Sequence, residues 1–166
     1  MNARKIASFS LLIALGSAIY VVESFIPFLL PIPGGRWGFS NVIILLAIPG
    51  GTLKELLFLA ALKSVIGNTL MGKLATPGFF MGFLGIEIGT FFMWLMGKSG
   101  KFGLIGISMT GAIINNSVQL AIAAWFIVKS IAIMYLYPYF VIIGTISAIA
   151  NAILAYTVLK RIGDLL

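Results

Sequence analysis

The chain has 166 residues, 61% of them hydrophobic and only 9% charged, with a formal net charge of +7. A water-soluble domain of this size has no way to hide so much apolar surface, so the composition excludes an ordinary globular protein and makes lipid the expected solvent. There is no Cys and no His, which excludes thiol and imidazole catalysis, disulfides, haem ligation and a typical zinc site.

Breaks at Pro, Gly and charge divide the chain into six apolar stretches, at 6–30, 37–48, 52–71, 77–96, 102–128 and 138–159. They predict an all-α integral membrane protein, a six-transmembrane-helix bundle forming a single domain over residues 1–166. The first stretch follows Arg4 and Lys5 and contains a cleavage-like Gly16-Ser17-Ala18; the many later spans favour a retained helix over a secretory signal. The second stretch reaches only about 18 Å at about 1.5 Å per residue, against a hydrocarbon core of about 30 Å. It is expected to be tilted or half-inserted, as part of a lid beside Arg36 and Asn41.

The connection into that stretch reads Glu23-Ser24-Phe25-Ile26-Pro27, then Pro31-Ile32-Pro33-Gly34-Gly35-Arg36-Trp37-Gly38-Phe39-Ser40-Asn41. Backbone so rich in Pro and Gly breaks regular helix, and irregular backbone at membrane depth is tolerable only where protein covers it or where it lines a cavity. Either it is a lid over an outward-facing pocket or a tight turn carrying an interfacial Arg. In the third and fourth stretches Lys63 and Glu87 sit near mid-span at matching depth. A charge there costs at least a few kcal/mol unless it is paired or watered. The two therefore form a structural ion pair, or Lys63 faces an anionic ligand and Glu87 holds it in place.

In the fifth stretch Asn115 and Gln119 lie four apart on one face, where amides either join helices or hydrogen-bond a ligand. Asn116 lies a step around the helix, and Asn151 in the sixth stretch is expected to join helices. Ala14 and Ala18, like Ala148 and Ala152, form small-xxx-small pairs, suited to packing within the chain or, on the first helix, to docking a partner membrane subunit.

The Lys and Arg residues stand singly at span ends rather than clustered with aromatics, so topology explains the basic charge better than nucleic-acid binding. With the N-terminus inside, Arg4, Lys5, Lys54, Lys98, Lys101, Lys160 and Arg161 lie in the cytoplasm, and Arg36, Lys73 and Lys129 outside. That bias predicts a plasma-membrane protein with both termini cytoplasmic. Trp37, Trp94, Trp125, Tyr135, Tyr137 and Tyr139 fall near predicted span ends, as interfacial aromatics do.

The segments Glu23 to Pro27, Pro33 to Asn41, Gly67 to Leu74 and Gly111 to Leu120 together resemble one bacterial family, labelled heptaprenyl diphosphate synthase component I or Gx transporter. The similarity runs from about Lys5 to Arg161. That family in turn looks like the substrate-binding membrane subunits, or S components, of energy-coupling-factor (ECF) transporters. The resemblance implies that Ala14 and Ala18 pack against a transmembrane coupling subunit that works with two cytoplasmic ATPases. The chain departs from the pattern in having Asn115-Asn116 where His-Asn is expected, and Lys63 at a position that is often Arg; an Asn does not titrate, and Lys is a point charge rather than a planar fork.

The leading expectation is a binding subunit for ATP-driven uptake of a small anionic or amphiphilic metabolite, with no cofactor and no bound metal. Arg36 and Lys63 would neutralise the ligand; Glu23, Asn41, Glu87, Asn115 and Gln119 would complete its site. The chain has no phosphate-binding Gly-Lys-Ser/Thr loop, so ATP use belongs to partners. Its single Asp, Asp164, rules out the acidic magnesium clusters of a prenyl synthase, so the alternative suggested by the family label is a noncatalytic membrane accessory subunit of that enzyme. A stand-alone carrier is disfavoured because the two halves show no internal repeat.

Overall fold

A computed structural model describes residues 3–28 and 36–163. The segment Pro31 to Gly35 of the expected lid, the end of the first apolar stretch, and Asp164 lie outside the described residues. The helices are α1 (Ala3–Glu23), α2 (Val42–Ala47), α3 (Leu53–Leu70), α4 (Pro77–Ser99), α5 (Leu104–Ile122) and α6 (Tyr137–Gly163). A 3₁₀ turn, Phe39–Asn41, leads into α2; a π-turn, Ala123–Ile127, extends α5; a second 3₁₀ turn, Ile131–Leu136, leads into α6. No strand occurs among the described residues.

Four helical segments are long and apolar enough to cross a membrane: Ala3–Glu23, Pro77–Ser99, Leu104–Ile127 and Ile131–Arg161. Their outer faces carry large exposed apolar side chains, among them Leu11, Leu84, Ile105, Ile142 and Ile153, a surface that only lipid can solvate. The chain is a helical membrane protein. The expected second and third spans are of a different kind. α3 has 18 residues, about 27 Å of rise, but carries Lys54, Glu55 and Lys63. The six residues of α2 rise only about 9 Å.

α2 corrects the expectation of a lid. Val42, Ile43, Ile44, Leu45 and Ala47 are all at most 5% exposed, and they form the centre of the hydrophobic core. A helix apolar on every side belongs inside, and here α1, α3, α5 and α6 surround it.

α1 and α3 run parallel. At one end Lys5 Nζ meets Glu55 Oε2 at 2.7 Å. Glu55 also closes a capping box at the start of α3, accepting from the Thr52 N–H at 2.8 Å, which fixes its carboxylate for that contact. At the other end the Tyr20 ring lies flat on Gly67, where an added Cβ would stand 2.6 Å from the ring. Parallel neighbours require the chain between them to return the length of the bundle, and it does so through the Phe39–Asn41 turn and α2. α4 and α5 are antiparallel and close, with Gly85 facing Asn115 and Gly111 facing Met93, because glycine lets the two backbones approach. Ala148 and Ala152 are each 1% exposed, so this pair packs within the chain, whereas Ala14 and Ala18 are exposed.

Candidate functional site

The backbone from Arg36 to Asn41 dips into the bundle and is held from two sides. From α1, Glu23, only 2% exposed, accepts the Gly38 N–H at Oε1 (2.8 Å) and the Ser40 N–H at Oε2 (3.0 Å). It thus caps the turn that starts α2, where a negative charge meets the positive end of the helix. From α6, Asn151 Nδ2 donates to the Gly38 carbonyl at 2.9 Å and the Ser147 hydroxyl donates to the Trp37 carbonyl. Gly38 itself has φ +82°, a left-handed conformation that glycine adopts without strain. Trp37 is half-buried: its Nε1 donates to the Pro27 carbonyl at 3.2 Å and its ring stacks on Phe39.

This clamp sets the position of Arg36. Its guanidinium carbon lies 3.7 Å from the centroid of the Tyr20 ring, a cation–π contact. Arg36 Nη1 is buried and, among the described residues, has no hydrogen-bond partner. A cavity of about 520 Å³ opens above it, where α1 and α3 end and α4 begins. Its polar lining includes Glu23, Arg36, Asn68, Lys73 and Thr76; its apolar lining includes Ile26, Phe28, Phe79 and Ile127.

Beneath Arg36 lies a space of about 30 Å³ that brings six expected site residues together: Glu23, Arg36, Asn41, Lys63, Asn115 and Gln119. A volume of that order holds about one water, not a metabolite. The mouth above is therefore the only one of the two with room for a ligand, and it reaches two of the six, Glu23 and Arg36. Lys63, 3% exposed, donates to Asn41 Oδ1 at 2.6 Å and to Ser40 Oγ at 3.4 Å.

The expected ion pair between Lys63 and Glu87 does not form; among the described residues the ion pair is Lys5–Glu55. The reason is position: the Phe39–Asn41 turn reaches Lys63 first. Glu87 is not in the shared lining and leaves Oε1 buried without a partner, as do Thr90 at Oγ1 and Asn115 at Oδ1. Asn116 donates to the Phe140 carbonyl at 3.0 Å and joins α5 to α6.

Tyr20, Ser40 and Asn68 belong to the site but were not singled out in the sequence. Tyr20 was legible in one respect, since it stands three residues before Glu23 on the same helix face. Ser40 and Asn68 lie in two of the segments that carry the family resemblance, but nothing in their residue type marks them as site residues. Among the described residues no group of acidic side chains is placed to hold a metal ion.

Comparison with curated proteins and with solved structures gives no match. The model of one protein family does match, over residues 12–158, which is most of the chain. That span takes in the Glu23 clamp, Arg36, the mouth and the α4–α5 pair, and on it the chain belongs to the family described as heptaprenyl diphosphate synthase component I.

Proposed function

We propose that this chain is a membrane-embedded binding subunit that captures a small anionic or amphiphilic metabolite in the mouth above Arg36. One observation carries the reading: the guanidinium of Arg36, with Nη1 buried and unpartnered among the described residues, lines a cavity large enough for a metabolite. A buried donor without an acceptor costs about 1–3 kcal/mol, and an anion in the mouth would offset the charge of the guanidinium that carries it. Lys63, Asn41, Asn115, Gln119 and Glu87 act beneath the ligand, holding the Arg36–Asn41 segment and the facing helices in place.

The proposal extends to topology and partners. The return of the chain between the parallel α1 and α3 supports six crossings, with α2 and its 3₁₀ turn as a half-length crossing sheltered in protein. The basic residues at the Lys5–Glu55 end then face the cytoplasm, and the mouth opens outward. Exposed Ala14 and Ala18 leave the α1 face free for a transmembrane coupling subunit with two ATPases, as in ECF uptake systems.

The family description favours a second reading: a noncatalytic membrane accessory subunit of heptaprenyl diphosphate synthase. Affinity purification of the tagged chain from native membrane separates the two. Uptake predicts recovery of a coupling subunit and ATPases. The accessory role predicts a soluble prenyl synthase whose activity depends on this chain. Recovery of neither would defeat both. The anion reading fails if no phosphate, carboxylate or sulfate compound stabilises the purified protein and Arg36→Gln has no effect on ligand-dependent stabilisation.

A further inference from the structure

A second hollow of about 470 Å³ runs along the outer surface between α4 and α5, lined entirely by nonpolar residues, including Phe80, Leu84, Ile122 and Phe126. It shares Pro77 and Ile127 with the mouth, so those two side chains are a common wall. Ile127 ends the π-turn, where the Val128 N–H reaches the Ala123 carbonyl at 2.8 Å. Such wide turns recur at functional sites, and this one places Ile127 in both linings.

The two hollows differ in charge. On the mouth side stand Arg36 and Lys73. The start of α4 adds Gly78, whose N–H has no acceptor within the helix. Thr76 Oγ1 is already committed to the Phe79 N–H at 3.2 Å, and Pro77 has no N–H. The one carboxylate in the mouth, Glu23, has both oxygens occupied by backbone N–H groups. The groove side carries no charge and no hydrogen-bonding side chain. A cationic chamber that shares a wall with an apolar groove is complementary to a molecule with the same division.

We propose that the mouth and the groove form one site for a single-tailed anionic amphiphile. Its phosphate or diphosphate head sits over Arg36 at the start of α4, and its hydrocarbon tail passes Pro77 and Ile127 into the groove between α4 and α5. This rests on the anion reading above and narrows it to a class of ligand. It also sets the route of loading, which is sideways from the lipid rather than straight from water.

The test uses the full chain in discs of zwitterionic lipid, with farnesyl diphosphate, inorganic diphosphate and farnesol as probes and thermal stabilisation and intrinsic tryptophan fluorescence as readouts. Farnesyl diphosphate is expected to bind about tenfold more tightly than inorganic diphosphate, since its tail gains packing contacts with the groove side chains. Farnesol is expected not to compete, and Arg36→Gln to weaken both diphosphates. Leu84→Trp, at a side chain exposed on the lipid side, is expected to fill the groove and collapse the ratio between the two diphosphates. Phe126→Asp, on the opposite wall, is expected to do the same by placing a charge beside the tail.

Equal binding of the two diphosphates would overturn the amphiphile and leave the anion reading standing. A ratio untouched by both groove variants would also overturn it, because partitioning into the lipid then accounts for the advantage. Competition by farnesol as strong as by farnesyl diphosphate would make the site an apolar groove alone. Binding of neither diphosphate overturns the amphiphile; the anion reading then stands or falls on carboxylate and sulfate compounds.

Discussion

Two buried charges in this site behave oppositely, and the difference is testable by substitution. Glu23 has both oxygens engaged by backbone N–H groups; Arg36 Nη1 has no hydrogen-bond partner among the described residues. Removing the first acceptor strands two donors, so Glu23→Ala is expected to cost about 2–4 kcal/mol, at roughly 1–3 kcal/mol for each unsatisfied group less some relaxation. Glu23→Gln, which keeps one acceptor oxygen, is expected to cost about half as much. Unfolding of the purified protein in mixed micelles reads both. Arg36→Gln strands no acceptor and is expected to stay within about 1 kcal/mol of the parent stability while losing stabilisation by anions. A large loss of stability from Arg36→Gln would show that the guanidinium is structural.

At the scale of elements, the Arg36 floor depends on a contact between helices. Tyr20 carries the guanidinium, and its ring lies on the bare backbone of Gly67, where a Cβ would approach to 2.6 Å. Gly67→Ala is therefore expected to push Tyr20 aside and cost about 1–3 kcal/mol, as overpacking does. It should also weaken anion binding although Gly67 touches no ligand; unchanged binding would uncouple α3 from the site.

This contact also marks where the sequence stops being legible. The apolar runs reveal the long helices, and costly polar groups within those runs mark Lys63, Asn115 and Gln119 as residues to explain, as the irregular connection marks Arg36. Their partners stay hidden, because pairing depends on how the chain returns between α1 and α3. Depth matching alone joins Lys63 to Glu87. The fold instead brings Asn41 and Ser40 to Lys63 from a turn some twenty residues earlier. α2 misleads for a related reason: a run too short to span looks like a cap at the surface, yet its apolar side chains on every face suit the centre of the core.

At the scale of the whole molecule, the parallel course of α1 and α3 decides how many times the chain crosses the bilayer. If residues 24–52 return through the membrane, Lys54 and Lys101 lie on one side and Lys129 on the other. The absence of Cys from the sequence makes single-cysteine variants clean reporters of this. Lys54, Lys101 and Lys129 are all exposed, and each can be changed to Cys without disturbing the core. In intact cells a membrane-impermeant maleimide is expected to label Lys129→Cys, and to reach Lys54→Cys and Lys101→Cys only after permeabilisation. Labelling of all but Lys129→Cys in intact cells would invert the orientation and turn the mouth toward the cytoplasm, where a synthase subunit could reach it. Labelling of Lys54→Cys and Lys129→Cys from the same side would mean that α2 and its turn do not complete a crossing, and the six-span frame would fall while the mouth and its Arg36 floor remained.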